Sequence, residues 1–329
     1  MKVQHIIGAD VSKKTIDLVC HLTANHCRID NTATGFMQAI KWIECQNITL
    51  STAMLVMEHT GLYSFCFEDF LHRRQIAFVK VGALAIKRSM GLVRGKSDKI
   101  DAARIAAYGF EKRDKLVANI PLDTTLQAVQ RLYSVRDKLV KQRAALKSSL
   151  TEYRNIGLAQ QDLVIQSQQA VVETLTAQIG KIEKQIDALI AEQPALNNNF
   201  CLLKSIKGVG KVLATAAVIK THNFTRFANA RKFACYCGTA PFEHSSGTSI
   251  KGRTRVSQLA DKQMKTLLDL AAKSAIQNDK ELRDFYLRRT ATGKSKMSTI
   301  NIVRNKLLHR MFAVIKRQSP FIENYLQAA

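Results

Sequence analysis

The sequence predicts an α/β domain followed by a mainly α-helical remainder, and three observations support that expectation. Short apolar strand candidates crowd the first quarter of the chain. Heptad-like spacing then runs through the middle. The last part combines helical periodicity with a large excess of positive charge.

His5 to Val11 is a short apolar run, Thr15 to His21 alternates as a second strand, and Cys27 to Asn31 makes a third. Tight turns at Ser12-Lys13-Lys14 and Ala24-Asn25 join them as an antiparallel meander. Gly35 to Gln46 has helical spacing at Phe36, Ile40 and Ile43. Ala53 to Met57 is a fully apolar strand, Tyr63 to Arg74 is helical, and Ile76 to Val81 is another buried strand. Helical stretches follow from about Leu84 and from Ser97 to Lys112. Three strands followed by strand–helix alternation is the order of a ribonuclease H-like domain, here spanning residues 1–122.

In residues 123–198, Leu126, Val129, Leu132, Val135, Leu139 and Leu146 recur at three- and four-residue steps or their sum, as do Leu175, Ile179, Ile182, Ile186 and Leu189. Such spacing predicts a coiled-coil oligomerisation region, with a helix pair packed inside one chain as the alternative. Pro194 is expected to close it. Residues 199–329 are expected to form a C-terminal domain. Its helices run over Val212 to Lys220, Phe227 to Tyr236, about Ser257 to Gln277, Asp279 to Arg289 and Ser298 to Lys316. A loop rich in Ser, Gly and Thr spans Gly238 to Gly252.

The formal net charge is +24, unevenly distributed: +6 over residues 1–122, +1 over 123–199 and +17 over 200–329. Solubility needs far less than that last excess, so it reads as a surface for a polyanion, with nucleic acid as the default partner. The longest nearly continuous apolar run, Val212 to Ile219, is much shorter than the roughly 20 residues a membrane helix needs. Asp10, Lys13 and Lys14 fall where a secretory leader would be apolar. A soluble cytoplasmic protein without a membrane partner is expected. Seven cysteines without a C-x-x-C pair point to free thiols, and Cys235-x-Cys237 lacks the second pair of a zinc site.

Four acids form a constellation. Asp10 falls near the end of an otherwise apolar strand, where an uncompensated carboxylate is costly. Glu58 ends the apolar run Ala53 to Met57, and Asp98 and Asp101 share a helix face in a stretch otherwise basic at Arg94, Lys96 and Lys99. Carboxylates on a central first strand, at the end of a later strand and on a crossing helix suit Mg²⁺ or Mn²⁺, which take hard oxygen ligands and serve phosphoryl transfer in pairs. Singly, each acid has a plain reading: Asp98 as a helix cap, Asp101 as a surface pair, Glu58 as a strand-to-helix turn.

Two further segments face phosphate chemistry. Ile206-Lys207-Gly208-Val209-Gly210-Lys211 resembles a helix–hairpin–helix, in which Gly208 and Gly210 expose backbone N–H groups and Lys207 and Lys211 add charge; a plain helix-to-helix turn is equally compatible. The loop Ala240 to Ser249, followed by Lys251, Arg253 and Arg255, places hydroxyls beside cations that would neutralise a phosphate.

Gly8-Ala9-Asp10-Val11-Ser12-Lys13, Glu58-His59-Thr60-Gly61-Leu62-Tyr63, Lys96-Ser97-Asp98-Lys99-Ile100-Asp101-Ala102, Ile206 to Gly210 and Gly238-Thr239-Ala240-Pro241 leading to Ser246-Gly247-Thr248-Ser249 occur in this order along nearly the whole chain. Together they resemble the DEDD transposases of the insertion-sequence one-ten (IS one-ten) family, which also contains the Piv-type DNA invertases. The resemblance implies a RuvC-like domain whose metal ligands are Asp10, Glu58, Asp98 and Asp101. It also implies a C-terminal transposase domain whose nucleophile is Ser246, with Ser245 and Ser249 as weaker candidates. Such proteins are expected to recombine double-stranded donor and target DNA as homodimers or homotetramers, through sites composed from both domains. Guidance by a structured bridge RNA, in the bacterial, nucleoid-associated cytoplasm, is expected from the same resemblance. One departure is Ser257-Gln258-Leu259-Ala260-Asp261, where the family commonly has a Ser-Lys-x-Gly turn. Two other classes remain: a metal-dependent junction-resolving endonuclease indifferent to Ser246, and a non-catalytic nucleic-acid-binding protein, which four acids in a basic chain disfavour.

Overall fold

The computed structural model describes residues 3–91, 95, 97–119, 123–246 and 250–323, and it divides into two compact units, Met1–Pro121 and Leu122–Ala329. The first unit holds β1 (His5–Val11), β2 (Thr15–Cys20), β3 (His26–Asp30), α1 (Ala33–Glu44), β4 (Ala53–Glu58), α2 (Phe65–Arg73), β5 (Ala77–Val81), α3 (Ala83–Ser89) and α4 (Asp98–Lys112). Its sheet has the order β3-β2-β1-β4-β5, with the first three strands antiparallel and β1, β4 and β5 parallel. This mixed sheet between helices is the architecture expected of a ribonuclease H-like domain.

The pleat sorts the strands' side chains onto two faces. Ile7, Ala9 and Val11 of β1, Ile16, Leu18 and Cys20 of β2, and Ala53, Leu55 and Met57 of β4 pack with Phe36, Ile40 and Ile43 of α1 and Phe67 and Leu71 of α2. Thr32 caps α1 by accepting from the Gly35 N–H. The opposite face carries Ile6, Met54, Val56, Val79 and Val81, which pack with Ile86 of α3 and Ile105 of α4. On that face α4 lies directly on the strands. A Cβ added at Gly8 would fall 2.1 Å from the Ala102 carbonyl oxygen and 2.4 Å from the Ala106 nitrogen. One added at Gly109 would fall 2.7 Å from Cγ2 of both Ile6 and Val56. Small residues on both partners therefore set the distance between helix and sheet.

The second unit begins with two long helices, α5 (Thr124–Asn155) and α6 (Leu163–Glu192). They run antiparallel, since Arg136 bonds Glu183 while Arg143 bonds Thr176. Ile165, Val172, Ile179 and Ile186 are all buried, one every seventh residue. Leu150, Ile165 and Val172 make a small core at one end of the pair. Leu126, Val129, Tyr133, Ile186 and Ile190 join the main core formed with α7 (Pro194–Lys204), α8 (Lys211–Thr221), α9 (Ala230–Tyr236), α10 (Lys262–Asn278), α11 (Lys280–Ala291) and α12 (Lys296–Arg317).

The heptad-spaced helix α6 does end just before Pro194, at Glu192, and Pro194 then opens α7 at its first turn, where its missing N–H costs nothing. Two expectations need correction. The serine-rich segment is not a plain loop: β6 (Pro241–Ser246) and β7 (Ile250–Val256) pair antiparallel, with an irregularity between Phe242 and His244. The helix anticipated from Ser257 starts at Lys262, because Asp261 is its cap and accepts from the Met264 N–H.

Replacing Gly8 with Ala forces Cβ into the α4 backbone, which has no flexible side-chain end to yield. A loss of about 1–3 kcal/mol is expected in urea unfolding of the full chain. Gly82→Ala, with no atom within 4 Å of the added Cβ, serves as control and is expected to cost less than about 1 kcal/mol.

Candidate active site

Asp10 follows Gly8 by two residues and so emerges on the α4 face of β1. The β1–β4 register pairs Ala9 with Met57, which puts Glu58 beside Asp10 at the same end of the sheet and on the same face. The close seat of Ala102 and Ala106 over Gly8 brings the preceding turn of α4, with Asp98 and Asp101, over Asp10. Ser97 is the α4 cap, accepting from the Ile100 N–H, so Asp98 is not used as one. The surroundings act on Asp10: burial pushes its carboxyl up to about 6, and the charges of Asp101, Asp98, Asp17 and Glu58 push the same way.

Asp17 is a member of this group that the sequence reading passed over. The β1–β2 register sets it directly opposite Asp10. It is 1% exposed and held on two sides. His26 Nε2 lies 2.6 Å from its Oδ1, and Arg28 Nε lies 3.1 Å from both carboxylate oxygens. Arg28 then extends Nη2 to Asp98 Oδ2 at 2.9 Å. Asp101 accepts from Arg104 Nη1 at 2.8 Å, and Arg104 also donates to the Gly95 carbonyl at 2.9 Å. A signal for Asp17 did exist: it interrupts the apolar Ile16-Asp17-Leu18-Val19, and a tight turn at residues 12–14 folds it back onto Asp10.

The donor set suits a hard divalent cation in kind, since it consists of carboxylates, and in electrostatics, since a cation would relieve the crowding that raises Asp10. In orientation the side chains do not converge. Among the described residues, no three His, Cys, Asp or Glu side chains come close enough to hold one ion, and Asp98 and Asp101 are instead bonded to arginines.

In the second unit, a short turn joins α7 and α8, as either reading of this segment requires. Gly208 adopts φ +88°, and a Cβ there would meet the Ala271 carbonyl oxygen at 2.7 Å. Gly210 caps α8 without a side chain. A solvent-open groove of about 530 Å³ runs along this turn, lined by Lys204, Lys207, Lys211, Leu267 and Leu270. Lys207 and Lys211 are paired with Glu323 and Asp187. Ser246 is the last residue of β6 and is paired in register with Ile250, while Ser245 pairs with Lys251. The side chains of Ser245, Ser246, Lys251 and Arg253, and the whole of Ser249, lie outside the described residues. Arg255 lies on β7 opposite Phe242 and is exposed. In place of the family's usual turn, Asp261 binds Lys220 and the Tyr236 hydroxyl. No helix among the described residues is long and apolar enough to cross a membrane.

Comparison with known proteins places this arrangement. Residues 7–153 match the model of the DEDD transposase domain of IS110 elements, and residues 201–287 match that of the transposase IS116/IS110/IS902 family. The chain belongs to the IS110 family of transposases. Its enzyme class is DNA recombinase. It is 28% identical to the pilin gene-inverting protein of Moraxella bovis over 96% of this chain and 97% of that protein. The pilin gene-inverting protein of Moraxella lacunata matches to the same extent. A 43.6 kDa protein of insertion element IS110 from Streptomyces coelicolor is 29% identical over 51% of this chain and 40% of that protein. The DEDD domain of the family implies a divalent metal cofactor.

A carboxyl whose folded pKa exceeds its unfolded value of 3.8 favours folding when protonated. Its charge therefore costs stability as pH rises from about 4 to about 6, and the cost is constant above that. With solvent screening of a half-exposed group, Asp10→Asn is expected to stabilise the chelator-treated protein by about 1 kcal/mol at pH 8. No gain is expected at pH 4; urea midpoints at the two pH values measure the difference.

Proposed function

We propose that this IS110-family chain cuts and rejoins double-stranded DNA by transesterification, with Ser246 as the nucleophile and Asp10, Glu58, Asp98 and Asp101 as ligands for Mg²⁺ or Mn²⁺. The observation that carries this reading is the gathering of four acids, from three elements, around Asp10 on one face of the sheet. Such ions, when bound, supply charge stabilisation at the transferring phosphoryl group. Asp10, with its raised pKa, holds a proton more readily than an ordinary carboxyl. In strand cleavage the Ser246 oxygen forms a bond to phosphorus, the bond from phosphorus to a sugar oxygen breaks, the serine proton passes to a base, and the departing oxygen takes one up. The phosphoserine link keeps the phosphodiester's energy for rejoining.

Residues 1–122 supply the acids, residues 123–198 are assigned as a coiled-coil region for a homodimer or homotetramer, and residues 199–329 bind nucleic acid. The net charge of +17 beyond residue 199 supports a polyanion surface large enough for a structured bridge RNA as well as DNA. Lys207, Gly208, Gly210, Lys211, Lys251, Arg253 and Arg255 are its proposed contacts, and a nucleoid-associated cytoplasmic location fits this role. The nearly full-length similarity to pilin gene-inverting proteins favours DNA inversion as a second form of the same chemistry.

Ser246→Ala is expected to abolish the covalent protein–DNA adduct, seen as a mobility shift in denaturing gels, while leaving nucleic-acid binding within about twofold. Asp10→Asn is expected to abolish it as well. An adduct that persists in Ser246→Ala assigns the nucleophile elsewhere. Cleavage that persists without any adduct indicates a metal-dependent nuclease.

A further inference from the structure

The acid group contains an arginine with two partners, and its geometry points to a role in loading the site. Arg28 and Asp17 are opposite each other in the β2–β3 register, so the guanidinium is anchored at its Nε end across a strand pair. The anchor is firm: Asp17 is buried, with His26 on one oxygen, and removal of Arg28 would take the guanidinium from a buried carboxylate. The far end of the same guanidinium, Nη2, is bonded to Asp98, whose side chain is otherwise largely exposed. A carboxylate bonded to a guanidinium is not free to turn toward Asp10, and the described side chains do not converge on one ion.

We propose that Arg28 is an exchange cation for the divalent-metal site. It pairs with Asp98 until a divalent ion takes that carboxylate, and it then turns its released Nη2 to a phosphate of the DNA. Metal and nucleic acid are thereby coupled, because the ion that withdraws Asp98 from Arg28 frees a cation for the substrate. Arg104 on Asp101 presents a similar relation within α4, but its second bond goes to the Gly95 carbonyl, so Arg28 is the arginine that links two acids of the group. Guanidinium geometry suits this role: one planar group serves a carboxylate at Nε and a second acceptor at Nη2, and an ammonium cannot span the two.

The inference rests on the proposed metal site, and the test separates the two. Mn²⁺ binding is measured by calorimetry on the full chain, its Asp10→Asn variant, the double variant Asp17→Asn/Arg28→Gln, and Arg28→Lys. The double variant leaves net charge unchanged, so a gain in affinity cannot come from charge alone. If the wild-type chain binds no Mn²⁺, or if Asp10→Asn binds it equally well, the metal site itself is wrong. If those controls behave as expected, a latch closed about nine-tenths of the time predicts Mn²⁺ binding about tenfold tighter in the double variant. Arg28→Lys, which keeps the charge but cannot bridge both acids, is expected to move the same way and decides the matter should the double variant fail to fold. Unchanged or weaker affinity in the folded variants overturns the exchange and makes Arg28 a fixed support for Asp98. In Ca²⁺, affinity for a duplex oligonucleotide of arbitrary sequence is expected to rise in the wild type and to rise by less than half as much in the double variant. An equal rise in both overturns the phosphate contact.

Discussion

The candidate site depends on the contact between the Gly8 backbone and the α4 backbone. No side chain fits between them: a Cβ at Gly8 would lie 2.1 Å from the Ala102 carbonyl oxygen. That contact fixes the height of α4 above the sheet, and small residues continue it at Ala102, Ala106 and Gly109. Because strand side chains alternate, the residue two places on, Asp10, must share the face that Gly8 leaves bare. Because a helix turns every 3.6 residues, the turn before Ala102 carries Asp98 and Asp101 over it. One steric constraint and two periodicities thus place acids from a helix and two strands together.

Gathering carboxylates has an electrostatic cost, and the structure meets it in two ways. Below about pH 6 part of the repulsion is relieved by protonation of Asp10, whose pKa is raised to about 6. The rest is met by cations from the same unit: Arg28 on Asp17 and on Asp98, and Arg104 on Asp101, with His26 also bonded to Asp17. The second unit shows a parallel arrangement in reverse, with the turn lysines Lys207 and Lys211 each facing a carboxylate.

Much of the first unit was legible because its strands alternate or run fully apolar between short turns. The meander of His5–Val11, Thr15–Cys20 and His26–Asp30, the strand ending at Glu58 and the helix from Asp98 all follow from local pattern. In the second unit the heptad steps located α5 and α6, and buried Ile179 and Ile186 lie on the anticipated seam. Local pattern failed where turn chemistry competes with composition. Ser, Gly and Thr between residues 238 and 252 read as loop, yet Pro241–Ser246 and Ile250–Val256 pair antiparallel across strands. Pro194 marked the end of the seam helix at Glu192, and the same residue starts the next helix.

The sequence by itself determined which residues are candidates: Asp10 and Glu58 because each stands against an apolar strand, Asp98 and Asp101 because their spacing shares a helix face, and the region beyond residue 199 because positive charge accumulates there. Only the tertiary structure decided their company. Asp17 joined the acids through strand register, and Arg28 reached Asp98 from β3, 70 residues away in the chain. Periodicity reports the face a residue occupies on its own element. Which faces meet, and which cations arrive with them, depends on non-local packing that no single segment encodes.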